Sequence, residues 1–136
     1  MKKSIKQLKK KADAEFSKYI RYRDGYKDTD GVWRGGCITC GVVKPLTQQQ
    51  NGHFVSRGAN VLRYDEENCN LQCVACNMFK QGEQFEYSKQ IELKYGDGTA
   101  EKLHNQRHDR HKLTIDELED IIKTSKEEVA KFIENA

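Results

Sequence analysis

Four of the five cysteines fall into two close pairs, Cys37-Ile38-Thr39-Cys40 and Cys73-Val74-Ala75-Cys76, with thirty-two residues between them. Each pair offers two sulfurs from one tight turn, and two such pairs complete the tetrahedral four-thiolate shell of a structural zinc ion. The spacing predicts one bound Zn2+ on Cys37, Cys40, Cys73 and Cys76. The intervening loop also carries residues that a staple does not need. His53 precedes Asn68 by fifteen positions, and Asn77 follows nine later, directly after the last zinc cysteine. Hydrolysis of a phosphodiester needs a base to activate water and a cation to hold the phosphate and neutralise the leaving oxygen, tasks that one histidine and one Mg2+ or Mn2+ ion can perform. The central stretch therefore reads as a second, catalytic site built on the zinc site.

The elements that must position these residues follow from periodicity. Ile5, Leu8, Ala12, Phe16, Tyr19 and Ile20 recur at three- and four-residue steps, which predicts an amphipathic helix over roughly 4–23. Asp24 to Trp33 places an Asp-Gly turn between short aromatic arms and reads as a hairpin or loop, with Trp33 packing over the zinc knuckle. Asp28 and Asp30 do not form a calcium loop, because no glutamate closes it. Gly41 gives the first knuckle its turn, and Gly52-His53-Phe54-Val55-Ser56 is expected to be a strand ending near Ser56. Val61 to Tyr64 reads as an extended arm or turn, and Asp65 to Asn68 as the turn before the second knuckle. A helix is expected from about Val74 through Asn77 to Lys80, a second over Glu83–Tyr95 stopped by Gly96, and a weaker one capped by Thr99 through Leu103. Thr114-Ile115-Asp116-Glu117 is a capping box, and Leu118, Ile121, Ile122, Val129, Phe132 and Ile133 follow it at helical spacing. His104 and His108, one turn apart, and His111 lie in a basic segment better suited to a phosphate backbone than to a second metal. Cys69 reads as a small buried hydrophobe.

The 136 residues, a third of them charged, are a domain's length with little apolar material in the middle, so zinc is expected to contribute to folding. The expected organisation is one domain over 1–136, with a basic amphipathic helix over 1–23, a zinc-bound core over 37–82 and a helical extension over 83–136. Five cysteines, four at metal spacing, fit a reducing compartment, hence a cytoplasmic protein. No apolar run reaches membrane-spanning length, and the residues from Met1 to Lys6 lack the apolar region of a secretory leader. The net charge of +3 is unevenly spread. Residues 1–23 hold nine basic against two acidic side chains, and residues 112–136 hold four against seven. A basic amino-terminal block suits a nucleic-acid backbone. The candidate DNA contacts are Lys9, Lys10, Lys11, Arg21 and Arg23, then Arg57, Arg63, Lys80, Arg107 and Arg110.

His53, Asn68 and Asn77 stand in the order in which a ββα-metal nuclease presents its base, its loop-bracing asparagine and its metal ligand. The chain resembles the HNH superfamily and, within it, the phage recombination proteins of the NinG (Rap) family. The resemblance is carried by the run from Phe16 to Asp24, Cys37 to Gly41, Gly52 to Ser56, Arg63 to Asn68, Gln72 to Asn77 and His108 to Glu117. It implies an α+β fold: a small zinc-stapled ββα-metal core of the HNH, treble-clef-like type between amino- and carboxy-terminal helices. It implies a structure-selective endonuclease for branched DNA, Holliday junctions and D-loops included, in a bacterial host's cytoplasm, with His53, Asn68 and Asn77 catalytic. The chain departs from the pattern in three places. Gly52 stands where many HNH enzymes have a metal ligand, Gln50 where the family has an acid, and Asn77 where many have histidine. An ion held by Asn77, Gln50 or His53 would be loosely bound, so His53 is either base or ligand. Two readings compete with the nuclease: a zinc-stapled DNA-binding module without chemistry, and a zinc-organised protein adaptor. Paired cuts in a junction need two active sites, so a homodimer is expected, with the helix from Ile115 to Ile133 as its candidate interface or else packed back on the first helix.

Overall fold

The computed structural model describes residues 3–79 and 83–136. Helix α1 (Ile5–Arg23) opens with a capping box, Ser4 accepting from the Gln7 backbone and Gln7 returning the bond, and buries Leu8, Ala12, Phe16 and Ile20 along one face. It is the element on which the others pack. Helix α4 (Ile115–Glu134) lies along it with its own stripe of Leu118, Ile122, Ser125 and Val129 buried, started by the Thr114–Glu117 capping box. Leu8, Ala12, Leu113, Leu118 and Ile122 form one seam, and each large side chain buried there stabilises the fold by about 1.5–3 kcal/mol. The middle of the α4 stripe is thus buried on α1 within one chain, the expected alternative to a dimer interface, whereas Ile115 and Ile133 at its ends stay exposed.

On its other side α1 meets a two-stranded antiparallel sheet, β4 (Gln49–His53) and β5 (Cys69–Cys73), in which His53 pairs with Cys69 and Gln49 with Cys73. Phe16 and Ile20 pack on Cys69, which is fully buried and whose thiol is pushed up by that burial. The fifth cysteine is a core residue. A three-stranded antiparallel sheet, β1 (Gly25–Lys27), β2 (Trp33–Gly36) and β3 (Val43–Pro45), leads into the first knuckle. Helices α2 (Gln84–Tyr95) and α3 (Thr99–Gln106) close a separate core of Phe54, Leu62, Tyr87, Ile91, Ala100 and Leu103.

Several expected boundaries move. The first strand of the central hairpin begins at Gln49 and ends at His53, not near Ser56. The ladder is replaced there by a side chain: Phe54 N–H donates to Asn68 O at 2.9 Å, but Val55 N–H donates to Asn68 Oδ1 at 2.8 Å. Val61 to Tyr64 is a turn, with 3-10 geometry over Asn60–Leu62. After the second knuckle the chain makes a π-helical turn over Ala75–Phe79 rather than a longer α-helix, and Lys80 lies outside the described residues. Thr99 is the first residue of α3, not its cap. Gly98 holds the cap at φ +92, and α3 runs on to Gln106. Trp33 packs edge-on against Tyr22 of α1, ring centroids 4.8 Å apart, so its ring partner is the helix and not the knuckle.

Candidate functional site

The two knuckles meet as their spacing requires. The four sulfurs of Cys37, Cys40, Cys73 and Cys76 all lie within 4.8 Å of one another, and Cys40 Sγ is 3.8 Å from Cys73 Sγ. A tetrahedron with zinc–sulfur bonds of about 2.3 Å has edges of about 3.8 Å, so the donor set fits a four-thiolate zinc. The turns are built for it. Gly41 takes φ +77 and returns its N–H to Cys37 O at 2.8 Å, and Cys76 N–H points at Cys73 Sγ, 3.4 Å away. Burial alone would raise the Cys37 thiol, but backbone N–H groups of Cys40 and Cys73 and the Thr39 hydroxyl outweigh it and bring it down to about 6. The first knuckle is tied to β5 by Ile38 N–H donating to Leu71 O at 2.8 Å. Zinc at this point would fasten β5 to the hairpin that precedes it.

Beside this staple lies an open cleft of about 640 Å³, with His53, Gln50, Asn77, Arg57 and Arg63 in its lining. His53 ends β4, and its Nε2 lies 2.9 Å from Arg63 O. A carbonyl can only accept, so Nε2 carries the hydrogen and Nδ1 keeps the lone pair that a base uses. Burial holds the imidazole below its ordinary pKa, with the Arg63 carbonyl opposing, and so favours the neutral ring. Asn68 is fully buried and braces the loop: besides Val55 N–H it reaches Val55 O at 3.0 Å and Leu62 O at 3.1 Å through Nδ2. Asn68 is thus behind the cleft, holding the segment that carries Arg63. Asn77 and Gln50 do meet, Asn77 Nδ2 donating to Gln50 Oε1 at 2.7 Å.

The cleft does not fit a resident magnesium or manganese ion. Those ions are held through carboxylates and phosphates. Gln50, Asn77 and Asn51, whose buried Oδ1 has no hydrogen-bond partner among the described residues, are neutral amides. Among the described residues the lining holds one carboxylate, Asp13, and both its oxygens are engaged by Arg63. Gly52 cannot be replaced by an acid without rearrangement, because a Cβ there would collide with the Gln72 side chain, whose own Cβ is 2.8 Å away.

The candidate DNA contacts divide. Lys10, Arg107 and Arg110 are exposed, Lys9 and Lys11 half-buried on α1. Arg57 is 64% exposed at the cleft mouth. Arg21 lines the cleft but donates to Leu46 O and Ser17 O. Arg23 and Arg63 are turned inward and are not available to DNA. Arg23 bonds Asp24, Glu66 O, Cys69 O and Asn70, whereas Arg63 is clamped to Asp13. Among the cleft residues to which the sequence assigned no role are Asp13, Ser17, Asn51 and Tyr64. Asp13, Ser17 and Arg21 fall at four-residue steps beside the apolar stripe of α1, and Asp13 is an acid in a basic helix; that is the signal that would have found them. His104 and His108 line a neighbouring cavity with Arg107, and the four cysteines are the metal-holding group found among the described residues.

Comparison with known proteins places the chain. No solved structure matches it. It is 30% identical over 128 residues to Protein ninG of Escherichia phage 933W and of Escherichia phage lambda, covering 93% of this chain in each case and 58% and 57% of those proteins. Protein ninG of Salmonella phage P22 is 31% identical over 113 residues, 82% of this chain and 51% of that protein. The chain therefore spans a little over half the length of the curated relatives it matches. A family model described as Bacteriophage Lambda NinG protein matches residues 1–135, and with the two knuckles and the His53 cleft in place, the chain belongs to the NinG family.

Proposed function

We propose that this protein is a metal-dependent, structure-selective DNA endonuclease that acts on branched recombination intermediates such as Holliday junctions and D-loops. The observation that carries the reading is the His53 geometry: a largely buried imidazole whose Nε2–H is held by Arg63 O, with Nδ1 left to take a proton in a cleft wide enough for a phosphate backbone. In this reading β4, β5 and the turn holding Asn77 are the ββα-metal core of an HNH nuclease, and the whole chain 1–136 is one domain. His53 accepts the proton of the attacking water, Asn68 keeps the Arg57–Arg63 loop in place, and Arg57, Lys9, Lys10, Lys11, Arg107 and Arg110 face the phosphates. The cleft lacks the charge to hold Mg2+ or Mn2+ alone, so such an ion belongs to the complex with DNA, whose phosphate oxygens supply that charge.

The same shortage of carboxylates favours a second reading, a zinc-stapled DNA-binding module without chemistry. One experiment separates the two. Four-way, forked and linear DNA are incubated with Mg2+ or Mn2+ and either the protein or His53→Ala. The nuclease reading expects cleavage of branched DNA, lost by at least about 100-fold in the variant, with binding retained within a few-fold. Binding without cleavage by the unmodified protein would leave the module, and equal cleavage by both would place the activity elsewhere.

A further inference from the structure

Arg63 offers the cleft its backbone, not its charge. Its carbonyl accepts the Nε2–H of His53 at 2.9 Å, and its side chain, 12% exposed, is held from two sides. From α1, Asp13 takes both prongs of the guanidinium: Arg63 Nε donates to Oδ1 at 2.8 Å and Nη2 donates to Oδ2. From its own loop, Arg57 O accepts from Nη1 at 3.0 Å. The next residue repeats the tie, Tyr64 O–H donating to Asp13 Oδ1 at 2.9 Å. Asp13 and Arg63 are fifty positions apart in the chain, so this contact exists only because α1 lies against the hairpin.

We propose that Asp13 is a positioning residue for His53, acting through Arg63. This rests on the reading of His53 as a base. A planar guanidinium held bidentately has little freedom to rotate, so the peptide carrying it keeps its carbonyl aimed at Nε2. That bond sets the tautomer and the ring orientation together, and so leaves the lone pair on Nδ1 of a ring that lines the cleft. Two other roles for Asp13 fit less well. A cation ligand needs an oxygen to spare, and both are engaged. A surface ion pair would be exposed and weak, whereas this pair lines the cleft and touches the residue that orients the histidine. The exposed Arg57, 3.9 Å from Asp13 Oδ2, stays available to phosphate.

The test uses the zinc-loaded full chain and the variants Asp13→Ala, Arg63→Ala and the double substitution. Neither single substitution removes the carbonyl of residue 63. The first measurement is the His53 tautomer from long-range ¹H–¹⁵N couplings at neutral pH. The protein is expected to show the Nε2–H form alone, and each variant a mixture with the Nδ1–H form. The second is cleavage of a four-way junction, where kcat is expected to fall by about 10- to 100-fold with KM unchanged within about threefold, as for a partner that orients a functional histidine. The double variant is expected to match the singles, because both remove one device. Asp13→Glu keeps the charge and is expected to restore part of kcat. If Asp13→Ala does not fold, Asp13→Asn, which keeps the shape and loses the charge, is read in the same way. A folded Asp13 variant with an unchanged tautomer and unchanged kcat would overturn the proposal. A protein that cuts no DNA, yet shows the tautomer shift on substitution of Asp13, supports the positioning and removes the nuclease reading.

Discussion

Two regions of this molecule, a few residues apart in sequence, are built to opposite specifications. The knuckles bring four ionisable donors of one kind to a point, each pair from a turn of four residues, and need no other element to complete a metal shell. The neighbouring cleft brings together an imidazole and neutral amides, and the one carboxylate among its described residues is tied to an arginine. The first region can hold an ion by itself; the second holds a side chain in a chosen orientation. Metal-holding capacity and side-chain positioning are thus separable here: zinc on the knuckles would contribute to the cleft the rigidity of β5, opposite whose first residue His53 is paired.

The largest test of that contrast is Cys40→Ser. Cys40 is the exposed member of the four, so the substitution removes almost no packing. Loss of the zinc and of cooperative melting would therefore report the metal's share of folding. Zinc content by elemental analysis and a thermal melt are the measurements, and a cooperative melt without metal would erase the contrast.

On the cleft side, Asn68→Ala is expected to lower stability by about 3 kcal/mol, because it leaves buried backbone groups of Val55 and Leu62 unpaired. Denaturant unfolding checks this. Zinc content should be unchanged, since the brace lies on the histidine side of β5.

A smaller effect is expected from Gln50→Asp, which adds to the cleft the charge it lacks. Mn2+ affinity in the absence of DNA should rise by about tenfold, read by electron paramagnetic resonance, because ligand charge sets the affinity of such sites. Tight Mn2+ binding by the unsubstituted protein without DNA would show that the amides suffice.

The finest effect concerns pH. Burial lowers the His53 pKa, so the neutral ring, the form that accepts a proton, persists to lower pH than an ordinary imidazole allows. The acidic limb of a kcat/KM profile on junction DNA should lie below the ordinary imidazole range. A limb within or above that range would place the ring in a less buried setting.

The sequence by itself determined what depends on neighbours a few positions away. The knuckle turns, the capping box at Thr114, and the stripes of α1 and α4 all follow from spacing within a turn or two, and they stand in the structure. A bracing Asn68 was expected from the His53, Asn68, Asn77 order of ββα-metal nucleases, and the structure gives that residue hydrogen bonds to Val55 and Leu62. Tertiary structure decided what depends on residues far apart. Arg23 and Arg63 look like surface cations in sequence, but folding sets Asn70 and Asp13 against them, forty-seven and fifty positions away. The α4 stripe could have served a second chain, and its packing on α1 occupies the middle of it. Gly52 admits no acid without rearrangement, because Gln72 of the facing strand fills the space its side chain would need. Periodicity records which face of an element is apolar, but an ion pair or a steric exclusion is set by what the folded chain lays against that face, and no local pattern carries that information.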